Sequence, residues 1–209
     1  MTTTEAPNAV LLTDDEIVAL ALRSGVAWRA PLPTVGQSEE ELTRAAARGW
    51  RALLVRELVV DRDHPAPELQ DVLAAQEAKI IARTFVADAN GVPLDGTSWS
   101  TYYRLTDGHV LIEVISSEGV HSFTTGTVDE CSSLITAAVD TVQREGVPDR
   151  SETGAAGFCV VAPGRPARVL TVGEGVLRLT DEDPEATSRE LPTPESAAAA
   201  VAGILGLAS

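Results

Sequence analysis

The chain has 209 residues, of which 44% are apolar, and this is long enough to bury a sizeable core. It carries 31 acidic and 16 basic residues, for a formal net charge of −15, and Lys79 is its single lysine. Nucleic acids and anionic membranes both attract cations, so this balance argues against either as a partner. The sequence shows neither a signal peptide nor an apolar run long enough to cross a bilayer, and we therefore expect a cytoplasmic protein.

The hydrophobic pattern divides the chain into a short tail and one domain. Residues 1–8 are polar and are predicted to form a disordered tail, and residues 9–209 are predicted to form a single domain. Within it, residues 9–77 read as a helical part, residues 78–145 as a first sheet unit and residues 157–207 as a second sheet unit.

The helical part contains two predicted capping boxes. In the first, Thr13 stands three residues before Glu16, and the helix that follows is expected to stop at Gly25. In the second, Ser38 stands three residues before Glu41, after a proline-bearing connector. Both spacings predict helices that begin at a defined residue.

The second helix is predicted from Glu39 to about Arg48, with Gly49 as an expected interruption before apolar residues continue at helical spacing. A further short helix is predicted over Glu68–Gln76. The stretch "RGWRALLVRELVV" (Arg48–Val60) looks like part of a helix-turn-helix or winged helix, but its arginines lie among acidic residues. We expect it to be a helix of the N-terminal part that packs on a sheet.

From about residue 78 the spacing of apolar residues changes from that of helices to that of strands. The first sheet unit contains "AKIIARTFVAD", "TSWSTYYRL", "HVLIEVIS" and "VHSFTT", which are rich in β-branched and aromatic residues. A third capping box, Thr127 with Glu130, opens a helix that is predicted to run to about Glu145. The turn signals between the strands are Asn90-Gly91, Asp95-Gly96, Asp107-Gly108 and Glu118-Gly119.

The second sheet unit repeats this order after the linker "GVPDRSETGAAG". Its predicted strands are "FCVVA", "ARVLTV", "VLRLTD" and "SRELP", and Thr193 with Pro194 opens a C-terminal helix. Residues 80–145 and 157–207 therefore look like diverged copies of one unit. We predict an α+β fold in which the two units form one mostly antiparallel sheet with helices packed on it.

The residue types that usually form catalytic or metal sites have ordinary structural explanations in this sequence. His109 and His121 fall on neighbouring predicted strands and can approach each other, but no Asp or Glu stands beside them at the spacing of a zinc site. Asp14 and Asp15 stand at a capped helix start, where solvated charge is the usual explanation. Cys131 and Cys159 are predicted to be buried thiols, with a disulfide left open. The sequence lacks nucleotide and hydrolase motifs, so we expect neither an enzyme, nor a cofactor, nor a metal.

One aromatic stretch favours a surface for a protein partner. Trp99, Tyr102 and Tyr103 place aromatic residues on both faces of one predicted strand, and such residues are frequent in binding hot spots. The long connection before them carries Val92 and Leu94. The simpler explanation is that one face packs against helices and the other is partly exposed structure. As a partner surface, these five residues are the predicted contact with another protein.

The order of elements resembles the EspG family of type VII (ESX) secretion chaperones in actinobacteria. The resemblance rests on the short strand, the capped helix, "RALLVRELVV", "PELQDVLAAQEAKIIARTFVADANG", "HVLIEVIS" and "TVDECSSLITAAVDTV", and it covers most of residues 9–205. The family's pseudo-two-fold symmetry also matches the internal repeat. One departure is that "REGVPDRSETGAAG" is too short for the helical insertion that family members carry before the second sheet unit.

The resemblance implies a non-catalytic cytosolic chaperone that binds helical secreted substrates of the PE/PPE or WxG type. Because the missing insertion helps to form the family's substrate groove, the resemblance does not carry over individual substrate contacts. Two other functions stay open at this stage, a winged-helix transcriptional regulator and a small-molecule-binding module. A homodimer is also left open.

Overall fold

The computed structural model describes residues 9–60, 64–79, 81–87, 99–131 and 133–134, and the strand residues 155–161, 168–173, 176–181 and 189–191. Side chains are described for residues 9–60, 64–79, 81, 100–131 and 133–134. The predicted 1–8 tail, the C-terminal helix from Thr193 and the helix end near Glu145 lie outside these ranges.

The strands form one antiparallel sheet in the order β1-β5-β4-β3-β2-β6-β7-β8-β9. All eight strands predicted for the two sheet units are present, and the predicted α+β fold with one antiparallel sheet is confirmed. The strands are β1 (Val10–Thr13), β2 (Ile81–Ala87), β3 (Trp99–Arg104), β4 (Val110–Ile115), β5 (Val120–Gly126), β6 (Ala155–Val161), β7 (Arg168–Gly173), β8 (Val176–Asp181) and β9 (Arg189–Leu191).

The strand order is a mirror image about the pair β2 and β6. These two strands pair along their full length, from Ile81 opposite Val161 to Ala87 opposite Ala155. Each unit then meanders outward, one from β2 to β5 and the other from β6 to β9. The two units therefore occupy equivalent positions on either side of the centre. The additional strand β1, from the predicted helical part, pairs with β5 at one edge.

Two helices and a short helical segment precede the first unit. They are α1 (Asp14–Ser24), α2 (Glu39–Val55) and the segment Pro67–Glu77, in which α3 (Gln70–Ala74) stands between two short 3-10 turns. Thr13 accepts the Glu16 N–H and donates its own N–H to the Glu16 carboxylate, which confirms the first capping box. The Ser38 hydroxyl likewise accepts the Glu41 N–H.

Gly49 does not interrupt the second helix, contrary to expectation. Helix α2 continues through it to Val55. A Cβ atom at Gly49 would overlap the backbone carbonyl oxygen of Asp15 in α1. Glycine is therefore required because the two helices approach each other closely at this point, and the cost of one glycine in a helix, about 1 kcal/mol, is not enough to end it.

Both faces of the first unit are covered. Side chains alternate between the faces of a sheet, and Leu111 and Phe123 join α1, α2 and α3 in the main core. On the other face Ile112 is buried, and Cys131, in the helix that opens at the confirmed Thr127–Glu130 capping box, lies close to it. The main core consists of Leu12, Ile17, Ala19, Leu20, Leu53, Val59, Leu69, Val72, Ala75, Ala78, Ile81, Tyr103, Leu105, Leu111 and Phe123.

Within the described residues, the helices are all too short or too polar to cross a lipid bilayer.

Candidate functional site: a buried histidine between two carboxylates

His121 lies in the interior with a carboxylate on each side of its ring. Its Nδ1 is 2.6 Å from Glu113 Oε1, and its Nε2 is 2.6 Å from Asp14 Oδ1. The exposed fractions of His121 and Glu113 are 0%, and that of Asp14 is 1%. Charged side chains are buried this completely only when they are paired, so the three groups form one electrostatic unit.

The backbone explains how three distant residues meet. His121 on β5 stands opposite Ile115 of β4 and opposite Leu12 of β1, and Glu113 is two residues before Ile115 on the same face. Asp14 follows β1 directly as the first residue of α1. Pairing of β1 with β5 therefore delivers Asp14 to the histidine.

Both carboxylates also accept further hydrogen bonds. Tyr103 Oη donates to Glu113 Oε2 over 2.5 Å, and Trp28 Nε1 donates to Glu113 Oε1 over 3.0 Å. The backbone N–H and the hydroxyl of Thr34 both donate to Asp14 Oδ2, each over 2.6 Å. We call these six residues, His121, Asp14, Glu113, Tyr103, Trp28 and Thr34, the His121 cluster.

The surroundings favour the charged forms of His121 and Asp14. Burial by itself lowers the pKa of His121, but the hydrogen bonds and negative charges of Asp14 and Glu113 outweigh this, and its pKa is raised. Burial raises the pKa of Asp14, but hydrogen bonds from His121 and Thr34 outweigh it, and that pKa is lowered. This geometry therefore favours an imidazolium that donates to both Asp14 and Glu113.

This geometry is unsuited to catalysis by His121. Both of its ring nitrogens are occupied by carboxylates and its ring has no exposed surface, so it cannot take a proton from a bound substrate. The two carboxylates lie on opposite sides of the ring and do not converge on one point. Among the described side chains, no group of three or more acidic, histidine or cysteine residues is arranged to hold a metal ion.

The cluster corrects two expectations from the sequence. Asp14 is not a solvated charge at a helix start, and His121 does have carboxylates beside it. The partner Asp14 is 107 positions away in the chain, so local spacing could not reveal it. One signal was available, because Glu113 is the single charged residue inside the apolar strand "HVLIEVIS" and shares a face with Leu111 and Ile115.

The expected approach of His109 to His121 is also wrong. His109 precedes β4, and the register places Val110 opposite Gly126 at one end of the hairpin and Ile115 opposite His121 at the other. His109 is instead exposed and pairs with Asp107, with 2.9 Å between Nδ1 and Oδ2. The two histidines therefore occupy opposite ends of the β4–β5 hairpin.

The predicted partner surface is described only in part. Tyr102 and Tyr103 have exposed fractions of 5% and 1%, so these two side chains belong to the interior and do not form a surface. Both faces of β3 are covered at this point, which the sequence left open. Trp99 begins β3, but its side chain lies outside the described residues, and so do Val92 and Leu94.

The arginines of α2 and its C-terminal end are largely neutralised by acidic side chains. Arg56 Nη1 is 2.9 Å from the buried Glu16 carboxylate, and its Nη2 donates to the Leu11 carbonyl oxygen at the edge of the sheet over 2.8 Å. A helix that reads DNA needs cations that are free to meet phosphates. The other ion pairs on this helix are Arg44 with Glu40, and Arg48 with Asp15 and Glu41.

Cys131 is buried, and its burial raises the pKa of its thiol to about 11. The nearby Glu130 carboxylate acts in the same direction. A thiol with this pKa stays protonated at neutral pH and is a poor nucleophile. Cys131 is a free thiol in the structure, and the side chain of Cys159 lies outside the described residues.

Comparison with known proteins adds no family to this picture. A scan against models of protein families finds no match, and a search of curated proteins finds none either. Functional assignment therefore rests on the residues and the fold.

Proposed function

We propose that this protein is a non-catalytic cytoplasmic chaperone or adaptor that binds helical secreted proteins of a type VII secretion system. The substrates would be of the PE/PPE or WxG kind, which expose apolar helical ends before export. A partner of this type must be shielded by a complementary apolar surface with a polar rim.

The mirror-image strand order about β2 and β6 is the observation that carries the proposal. The resemblance to the EspG family implies a pseudo-two-fold sheet built from two related units, and the order β5-β4-β3-β2-β6-β7-β8-β9 has this arrangement. The strand β1 followed by the capped helix α1 also agrees with the family's order of elements. Strand order is a stronger criterion for comparing folds than composition, because few topologies produce this mirror-image order.

The non-catalytic part of the proposal is supported by the His121 cluster. Asp next to His is a pattern found in catalytic triads, but in a triad the second ring nitrogen faces a nucleophile. In this protein that nitrogen faces Glu113, and the ring is closed to solvent. The neutralised arginines of α2 favour an adaptor over a transcriptional regulator for a similar reason, since little free positive charge is left on that helix.

The proposed contact lies in the first sheet unit, at Val92, Leu94 and Trp99. Tyr102 and Tyr103 support it from the interior by fixing β3 between the two covered faces. A matched control is available on a different part of the molecule. Val55 and Val60, at the end of α2, have exposed fractions of 84% and 76%.

The test is co-expression of the tagged chain with a panel of PE/PPE and WxG-like proteins, followed by pull-down. We expect the wild-type chain to retain at least one of these helical proteins. The double variant Val92→Asp/Leu94→Asp should lose this capture because two charges would enter the apolar contact. The control Val55→Asp/Val60→Asp makes the same chemical change elsewhere and should capture as the wild type does.

Two results would contradict the proposal. If the wild-type chain retains no helical protein from the panel, the assigned partner class is wrong. If both double variants capture equally well while circular dichroism shows that both are folded, the contact is not at Val92 and Leu94.

A further inference from the structure

The connector, residues 25–38 between α1 and α2, has no regular secondary structure but is anchored on the sheet. Trp28 lies between two aromatic rings of the sheet, with centroid distances of 6.2 Å to Tyr103 and 6.1 Å to Phe123. Ala30 and Val35 are buried. The connector therefore packs on an aromatic part of the sheet.

Polar tethers hold the connector at three places. Thr34 donates twice to Asp14, Trp28 donates to Glu113, and Arg29 Nη1 donates to the Ala78 carbonyl oxygen over 3.0 Å. The first two tethers end on the two carboxylates that His121 joins. Attachment of the connector is therefore coupled to the protonation state of one side chain.

Counting protons shows why the coupling is strong. An imidazolium has two N–H donors and satisfies both carboxylates at 2.6 Å, whereas neutral imidazole has one donor and one lone pair. After loss of the proton, one carboxylate would face that lone pair at the same distance. That carboxylate must move away or take up a proton. Both carboxylates accept hydrogen bonds from the connector, so either change weakens the attachment of the connector.

We propose that His121 is a protonation-dependent lock that keeps the connector on the sheet while its imidazolium carries two donors and releases it when one of the two protons is lost. Opening of the lock uncovers the rings of Tyr103 and Phe123. This inference does not depend on the proposed chaperone function, because it concerns only described side chains and their hydrogen bonds.

The charged and titratable groups around His121 come from several elements. Asp14 faces it from α1 and Glu113 from β4, and Tyr103 on β3 reaches it through Glu113. The connector supplies the neutral donors of Trp28 and Thr34 and also carries Arg29, which donates to the Ala78 carbonyl oxygen. Phe123 on β5 stacks beside the ring at 6.3 Å. From the α2 side, Arg48 forms an ion pair with Asp15 and Arg56 forms one with Glu16. Asp15 and Glu16 directly follow Asp14 in the chain.

The direction of the switch follows from the charge balance. The pKa of His121 is raised because two carboxylates outweigh the effect of burial. The lock is therefore closed below that raised pKa and opens as the pH rises through it. Asp14, whose pKa is lowered, stays ionised well into the acidic range.

The experiment is amide and indole hydrogen exchange by NMR between pH 6 and pH 9, expressed as protection factors so that the intrinsic pH dependence cancels. We expect protection of the Thr34 N–H and the Trp28 indole N–H to fall by about tenfold or more, which corresponds to one pKa unit of coupling. The fall should share its midpoint with the titration of the His121 ring. The amide of Leu20, in the core of α1, should stay more strongly protected than both at every pH.

Two variants complete the design. His121→Gln keeps one N–H donor group and has no positive charge, so its connector should show low protection at every pH. His109→Gln changes the exposed histidine at the other end of the hairpin and should exchange like the wild type. If His121→Gln fails to fold, Thr34→Val removes the hydroxyl donor to Asp14 but keeps the backbone N–H donor at this position, and it leaves His121 between its carboxylates. It should weaken connector protection without moving the His121 titration.

The lock would be overturned by protection at Thr34 and Trp28 that stays constant while His121 titrates. It would equally be overturned if protection at Thr34 and Trp28 never falls below that of Leu20, because both would then exchange only through global unfolding and not through release of the connector.

Discussion

His121 and His109 lie at opposite ends of the β4–β5 hairpin, and each has a carboxylate within hydrogen-bond distance. His109 pairs with Asp107 over 2.9 Å, and more than half of each side chain is exposed. His121 pairs with Asp14 and Glu113 over 2.6 Å, with all three side chains closed to solvent. The same residue types therefore form a solvated surface pair at one end and an interior cluster at the other.

The difference shows that burial, and not the pairing itself, decides how much such a contact contributes to the free energy of unfolding. In an exposed ion pair, water replaces a lost partner and dissolved salt screens the attraction, so the pair contributes little to stability. A buried group has no water to replace a lost partner, so removal of one member leaves an uncompensated charge. Four predictions test this contrast by changing equivalent groups at the two ends.

The largest effect is expected from His121→Leu. Removal of the imidazolium leaves two buried carboxylates without their shared cation, and we expect a loss of about 3–5 kcal/mol in the free energy of unfolding. Urea denaturation at pH 7 measures this loss. The matched change His109→Leu should leave the urea midpoint where it is, and an equal shift in both variants would show that burial makes no difference.

The two hairpin-end glycines are expected to differ next. Gly119 has a φ of 73°, and a Cβ there would lie 2.7 Å from both Asp14 Oδ2 and Thr34 Oγ1. Gly108 has a φ of 96°, but the nearest atom to its Cβ would be the flexible Arg104 side chain at 3.6 Å.

We expect Gly108→Ala to cost about 1–2 kcal/mol from the left-handed backbone alone. Gly119→Ala should cost about 1–3 kcal/mol more, because the new methyl group also pushes Asp14 and Thr34 apart. Thermal denaturation of both variants separates the two costs. Equal losses would mean that the Asp14–Thr34 contact is not tightly packed.

A smaller effect is expected from Tyr103→Phe. The change keeps the ring and removes the hydroxyl that donates to Glu113, so it should cost about 1.5–3 kcal/mol, the usual range for a hydrogen bond to a charged group. The counterpart at the exposed end is Asp107→Asn, which should not move the urea midpoint. No loss in Tyr103→Phe would show that Glu113 is satisfied without this donor.

The smallest effect is the pH dependence of stability. The pKa of His121 is raised in the folded state, so its stabilisation is complete below the unfolded value near 6.5 and is lost as the pH rises through the folded value. The pKa of Asp14 is lowered, so its contribution is present above 3.8 and is lost as the pH falls through its folded value.

Urea midpoints measured from pH 5 to pH 9 should therefore decline on the alkaline side, and the decline should disappear in His121→Leu. His109 has a raised pKa as well, but both members of its pair are exposed, so His109→Leu should keep the decline. A decline that persists in His121→Leu would have to come from another group.

The parts of the fold that sequence could predict are those determined over a few residues. Alternation and turn residues located all eight strands of the two units, and the three-residue spacings at Thr13, Ser38 and Thr127 located three helix starts. The error at Gly49 has a tertiary cause, since the glycine is required by Asp15 on another helix. The His121 cluster was missed for the same reason, because its members meet only after β1 pairs with β5.

The central claim is that His121 is an imidazolium held between two carboxylates inside the fold. The most direct measurement is the ¹⁵N–¹H NMR spectrum of its ring at pH 7, with His109 in the same sample as an internal reference. We predict two N–H protons on the His121 ring, both protected from exchange with water, while those of His109 exchange rapidly. A folded protein in which the His121 ring carries a single N–H proton and the nitrogen shifts of a neutral imidazole would contradict the claim.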